Sequence, residues 1–398
     1  MLSVEDARAR ILAPLKPLPA EIVGLADAWG RVTAAAIVAR LHQPPADVSA
    51  MDGYALRAAD QGARRVIGAA PAGHPFTGAV GPGEAVRLFT GSVVPEGADT
   101  VLIQEDANRD GDALTPTAPP RPGAHIRRKG QDFAVGDPVI PPGVRLSARG
   151  IGLLAAANHP WVAVHRRPVV AILATGDEIA LPGDPIPAGG IVSSNAHALA
   201  AMVRARGGVA LVLPIALDRP EAIAAVAASV QGVDLLVTTG GASVGEHDLI
   251  QAGLATQGFV LDFWKIAMRP GKPLIYGRLG ATPVLGLPGN PVSALVCAIL
   301  FLTPILDRLQ GLSGDPPVAS PAILGAALPA NDHRADHLRA TMHADSSHLP
   351  VVTPFARQDS SMLSVFHQAD ALILRPPNAP ALDKGAVVSI IRLDFLGF

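Results

Sequence analysis

Between Val169 and Leu309 the chain alternates continuous apolar runs with amphipathic stretches, and no other feature constrains its fold as tightly. Val169-Val-Ala-Ile-Leu-Ala174 is apolar throughout and stops at Thr175-Gly176-Asp177. A helical pattern from about Asn195 to Arg206 follows, then Val209-Ala-Leu-Val-Leu213, then a second helix from about Pro220 to Val230. Val233-Asp-Leu-Leu-Val237 runs into Thr238-Thr-Gly-Gly241, and Val284-Leu-Gly-Leu287 leads through a Pro-Gly turn into an apolar helix from Pro291 to about Leu309. A strand without polar alternation must be covered on both faces, so this spacing predicts βαβ units and a parallel sheet between helical layers.

The flanks read differently. Ser3 with Asp6 three residues later marks a helix start, with Val4, Ala7, Ile11 and Leu12 on one stripe and Pro14 ending it. A second helix is expected from about Leu25 to Ala39, and a third over Ala148 to Ala157. Short apolar runs broken by glycine and proline, such as Ala85 to Phe89 and Thr100 to Ile103, predict a β-rich module. After a linker at Gly311 to Pro317, the tail returns to β-like runs at Ala371 to Leu374 and Ala386 to Ile391. The expected architecture is an α/β multidomain chain. Its parts are a small helical or linking part (1–45 with 143–165), a β-rich subdomain (46–142), a parallel-sheet α/β domain (166–313) and a C-terminal β domain (318–398).

Composition then excludes several classes. With 32 basic against 34 acidic residues the chain lacks the basic footprint of a nucleic-acid binder. A single cysteine, Cys297, excludes an internal disulfide or a cysteine-built zinc site. The charged N-terminus shows no signal pattern, and the most apolar window, Ala294 to Leu306, is broken by Thr303-Pro304 and shorter than the roughly 20 residues a membrane span needs. A cytoplasmic protein without membrane attachment is expected.

Ligands of open parallel sheets bind outside the carboxyl ends of the strands. Those ends carry Thr175-Gly176-Asp177-Glu178, then Asp218, then Thr238 to Asp248, including Gly240, Gly241, Ser243, Glu246 and Asp248. Glycine pairs let backbone N–H groups approach an anion, and crowded carboxylates beside them suit magnesium held together with substrate phosphates. Each motif alone is most often a turn or a helix cap; their placement at successive strand ends is what points to a site. Lys265, Arg269 and Lys272 add three cations around a Pro-Gly turn, and Pro288, Asn290, Pro291 and Ser293 open the last helix. The β-rich module has its own group: Asp52 in Ser49 to Ala55, Thr90 in Phe89 to Gly91, and Asp132 after Arg127 to Gln131. His333 and His337 lack the glutamate of a helical zinc motif and are expected on a surface hairpin.

Six segments occur in one order: Ser49-Ala-Met-Asp-Gly-Tyr-Ala55, Phe89-Thr-Gly91 with Pro95-Glu-Gly-Ala-Asp99, Thr175-Gly-Asp-Glu178, Gly240-Gly-Ala-Ser-Val-Gly-Glu-His-Asp248, Arg269-Pro-Gly-Lys-Pro273 and Gly286-Leu-Pro-Gly-Asn-Pro-Val-Ser293. Together they resemble the MoeA family of molybdopterin molybdenumtransferases, which includes the E domain of gephyrin, over essentially the whole chain. The resemblance implies a homodimer of four-subdomain protomers, with a molybdopterin-binding α/β domain and a C-terminal β-barrel-like domain. It implies insertion of molybdate into adenylated molybdopterin with release of AMP, assisted by a divalent cation, usually magnesium. Glu178, Asp218 and Asp248 would act around the phosphates and metal, the last two as metal ligands. Asp52, Thr90 and Asp132 would reach the same crevice from the partner protomer. Molybdate is a dianion, so Lys265, Arg269, Lys272 and Ser293 are candidates to receive it. A molybdopterin adenylyltransferase and recipient molybdoenzymes are the implied protein partners, and a carrier or scaffold without turnover is the alternative. The chain departs from common family patterns at Gln131, Arg269, Ser193 and Ser360-Ser361, which bears on ligand geometry rather than reaction class.

Overall fold

The computed structural model describes residues 1–240, 247–344 and 349–394, and the chain divides into two compact units. One comprises Met1–Glu21, Gly30–Val32 and His165–Phe398; the other comprises Ile22–Trp29 and Thr33–Val164.

In the first unit a six-stranded sheet runs in the order Val209–Val212, Val169–Ala174, Leu235–Thr239, Thr282–Leu287, Ile275–Leu279, Phe259–Trp264. The first four strands are parallel, as the sequence predicts. The last two add antiparallel as an edge hairpin, which the sequence reading did not include. The unbroken apolar runs follow from burial on two sides. Val170, Ile172 and Ala174 pack with Leu199, Val203 and Leu302, whereas Ala171 and Leu173 pack with Ile223, Ile250 and Leu254 on the opposite face. The N-terminal helix Val4–Leu12 forms as expected: the Ser3 side chain accepts from the Asp6 N–H, and Val4, Ala7 and Ile11 are buried.

Thr303-Pro304 does not end the last helix. The run Pro291–Leu309 continues through it as Pro291–Cys297, a π-helical turn Ala298–Leu302, and Thr303–Leu309. A wider turn accommodates the ring of Pro304, which has no N–H to give, and Thr303 Oγ1 donates to the Ile299 carbonyl at 2.7 Å. These 19 residues are long and apolar enough to cross a membrane, but 89% of the apolar window is buried inside the protein, where it forms the centre of the core.

The C-terminal segment closes into a five-stranded barrel. Ala335–His343 pairs with Val351–Pro354, then Ala319–Leu324, Val387–Arg392 and Ala371–Arg375 follow, and the last pairs back with Ala335–His343. Met268–Arg269 joins this barrel in parallel beside Ala335–Asp336. The chain between Trp264 and Ile275 therefore leaves the α/β sheet, is pinned to the barrel, and returns.

His337 lies on a barrel strand but is buried, not on a surface hairpin. Its ring hydrogen-bonds the backbone of Arg269, Nδ1 has no partner, and burial pushes its pKa down to about 4. Protonation would leave a buried cation with an unpaired N–H. An unfolded histidine binds its proton near pH 6.5, so the unfolded state holds more protons between pH 6.5 and about 4. Stability should therefore fall through that window, by up to about 3 kcal/mol from this one group. Urea midpoints measured from pH 7 downwards should show a shallower decline for His337→Gln; parallel curves would contradict the assignment.

The second unit carries another six-stranded sheet, in the order Thr100–Ile103, Gly53–Leu56, Glu84–Leu88, Arg64–Ala70, Ala113–Pro116, Ala107–Asp110. Ala148–Ala156 is helical as expected, with the Ser147 side chain accepting from the Gly150 N–H. The expected helix over Leu25 to Ala39 is absent. That stretch holds one 3-10 turn at Leu25–Asp27, a left-handed Gly30 (φ +73°) and a strand at Ile37–Val38. Buried Thr33 donates from Oγ1 to the Pro141 carbonyl at 2.8 Å and accepts from the Val144 N–H, while Ile37–Val38 pairs with Pro138–Ile140. Tertiary pairing of β-branched residues overrides the alanine-rich helical propensity here.

Candidate active site

The ends of the parallel strands are tied to one another by backbone bonds. Thr175 N–H donates to the Thr239 carbonyl at 3.1 Å, and Gly176 N–H donates to the Ala216 carbonyl at 3.2 Å. Asp218 N–H donates to Asp177 Oδ1 at 3.0 Å, bringing two of the predicted acidic residues together. Gly240 has φ +100°, and a Cβ built there would lie 2.3 Å from the Thr175 carbonyl oxygen, so only glycine fits directly after this strand.

Beside these ends lies a cavity of about 770 Å³, within the range of small-molecule sites. Of the predicted residues, Glu178, Gly240, Lys265, Lys272, Pro288, Asn290, Pro291 and Ser293 line it. Thr175, Gly176, Asp177 and Asp218 stand at the strand ends without lining it. Gly241, Ser243 and Glu246 lie outside the described residues, and of Asp248 only its place in the helix His247–Ala255 is described.

Among the described residues the cavity is lined by few charges. Lys265 sits at φ +69° with Nζ 3.4 Å from the centre of the Trp264 ring. That contact steadies the ammonium without neutralising it. Among the described residues, neither Lys265 nor Lys272 has a carboxylate partner, and the Glu178 carboxylate makes no hydrogen bond. Arg269 differs. Its Nε and a terminal nitrogen donate to the two oxygens of Asp336 at 2.9 and 2.8 Å, an ion pair that raises its pKa. The Asp336 carboxylate takes the guanidinium fork, and Arg269 does not line the cavity.

Asn195 and Trp264 line the cavity without having been candidates from the sequence, Ser361 lines it from the segment that departs from the family pattern, and Ile179, Ile191 and Val192 supply an apolar wall. Ser361 comes from the C-terminal segment. Its neighbour Ser360 accepts from Asn290 Nδ2 at 2.8 Å through Oγ and from the Val292 N–H at 3.0 Å through its carbonyl. Asn195 has a legible signal, since a polar residue opening a helix after a strand end is placed to reach the crevice. Ser361 has none.

In the second unit the fold joins Asp52 to Thr90. The Thr90 N–H and Oγ1 both donate to Asp52 Oδ1, at 2.7 and 2.8 Å. These bonds, with Arg87 adding a smaller attraction, hold the Asp52 carboxyl below its usual range. Asp132 is exposed on a loop whose N–H donates to the Gln43 carbonyl. Arg128 beside it is paired with Asp47 at 2.6 Å. No group of three potential metal ligands occurs among the described residues.

Comparison with known proteins shows the family. Residues 2–158 match a family model described as "MoeA N-terminal region (domain I and II)", residues 171–308 one described as "Probable molybdopterin binding domain", and residues 321–393 one described as "MoeA C-terminal region (domain IV)". A Haemophilus influenzae protein named molybdopterin molybdenumtransferase is 34% identical over the full length of both chains. A Nostoc protein of the same name is 33% identical, with 94% of this chain and 88% of that protein covered. The crystal structure of the molybdopterin biosynthesis MoeA protein from Pyrococcus horikoshii superposes with a TM-score of 0.84 at 30% identity, covering 98% of this chain and 99% of that one.

Proposed function

The chain belongs to the MoeA family, and from that premise we propose that it inserts molybdate into adenylated molybdopterin, with release of AMP, in the making of the molybdenum cofactor. The observation that carries this reading is the cavity at the strand ends, where two lysines and a glutamate, none with a charged partner among the described residues, meet an apolar wall. A phosphorylated heterocycle needs such a combination: surface for its rings and cations for its anionic end.

In this reading Lys265, Lys272 and Ser293 receive the molybdate dianion. Glu178 acts at the adenylate phosphates, and the backbone around Thr175, Gly176 and Gly240 lies against them. Magnesium suits the remaining donors, because it needs only one or two carboxylates beside substrate phosphates. The hydrogen bond between Asp218 N–H and Asp177 sets two hard-oxygen side chains at adjoining strand ends. Asp218 and Asp248 would hold the ion, which would neutralise diphosphate charge as the anhydride is cleaved. Asp52, with its acidity set by Thr90, and Asp132 complete the site from a partner protomer of a homodimer working in the cytoplasm.

AMP release from adenylated molybdopterin tests the proposal. Release that requires both molybdate and magnesium is the expected result. Tight binding without release under any condition would contradict it.

A further inference from the structure

This inference rests on the reading above and concerns how the same cavity keeps its shape. Asn195 opens the helix Asn195–Ala205 and lines the cavity, although an amide offers no acid or base chemistry. Its Nδ2 donates twice, to Thr239 Oγ1 at 2.9 Å and to the Gly289 carbonyl at 2.7 Å. A carbonyl can only accept, so Gly289 fixes which end of the amide faces the loop. Thr239, having accepted from Asn195, has its hydroxyl hydrogen left to give, and the Pro288 carbonyl lies 3.3 Å from its Oγ1. Two consecutive carbonyls are thus held by donors from one strand end and one helix start.

The far side of the loop is anchored separately, by Asn290 on Ser360. Asn290 stands at the N-cap of its helix, where its carbonyl takes the Ala294 N–H at 2.9 Å but its side chain makes no capping bond. Pro288, Gly289, Asn290 and Pro291 all line the cavity. We propose that Asn195 is a positioning residue, which sets one wall of the ligand cavity by holding the 288–291 loop against Thr239.

The test uses the full chain with Asn195→Ala and Asn195→Asp. The aspartate keeps the size of the side chain but, when ionised, has no hydrogen to give to two waiting acceptors; protonated, it regains one. Affinity for adenylated molybdopterin should fall about tenfold or more in both variants near neutral pH. It should recover in part for Asn195→Asp alone when the pH is lowered to about 5. Hydrogen exchange of the unliganded protein should quicken severalfold at residues 286–296 in both variants and stay unchanged in the barrel. Unchanged exchange at that loop would overturn the proposal, as would equal affinities in all three proteins or a loss without recovery at low pH. Failure of the unaltered protein to bind adenylated molybdopterin would instead count against the functional reading, and the exchange result would still decide the role of Asn195.

Discussion

Replacing Glu178 with glutamine should lower molybdate-dependent AMP release by about a hundredfold or more, the scale on which single groups aimed at developing charge act. The argument is one of charge without structural duty. Glu178 lines the cavity, its carboxylate has no hydrogen-bond partner among the described residues, and its backbone carbonyl takes the Ile191 N–H whatever the side chain. Glutamine keeps the shape and removes only the charge. The folded state should therefore be nearly indifferent, with a thermal midpoint within about 2 °C of the unaltered protein, as for substitutions away from buried networks. The pairing of a large kinetic loss with an unchanged midpoint is the diagnostic result. Equal turnover would remove Glu178 from the site, and a parallel fall in stability would show that its role is structural.

Gly240→Ala should have the largest effect on stability. Two costs coincide there: a φ of +100°, which side chains rarely adopt, and a Cβ 2.3 Å from the Thr175 carbonyl oxygen. Backbone oxygen cannot swing aside as a side chain can, so the parallel strands must part where their ends meet the cavity. A loss of about 3 kcal/mol or more is expected in chemical denaturation. Gly232→Ala supplies the internal comparison, because Gly232 also has positive φ (+72°) but nothing within 4 Å of a new Cβ. It should lose only about 1 kcal/mol. Similar losses at the two positions would mean that the close approach at Gly240 adds no cost of its own.

What the sequence revealed depended on how local the causes were. The parallel core was legible because strands such as Val169–Ala174 are buried on both faces and so lose all polar alternation. The edge hairpin Phe259–Trp264 with Ile275–Leu279 was not, since its exposed Val260 and Leu261 give no clean alternation either. Leu25 to Ala39 misled because alanine content favours a helix locally, whereas Thr33 is claimed by carbonyls more than 100 residues away. Closure of the barrel needs pairing between Ala335–His343 and Ala371–Arg375, which no window of sequence contains.

The site divides along the same line. Glycines and carboxylates at strand ends announce themselves, because position in a parallel sheet already assigns them a crevice. The charge of Arg269 was equally visible, but its partner Asp336 lies 67 residues further on and belongs to the barrel. The bonds of the Asn195 amide to Thr239 and Gly289, and the approach of Ser361 to the cavity, join distant segments, and only the fold reports those contacts.

The most direct test of the central claim is the balance between metal and nucleotide. Purified protein is incubated with adenylated molybdopterin, molybdate and magnesium, and the molybdenum retained with the pterin is measured against AMP released. Equimolar molybdenum and AMP is the predicted result. AMP released with no molybdenum retained would describe a hydrolase, and would contradict the account.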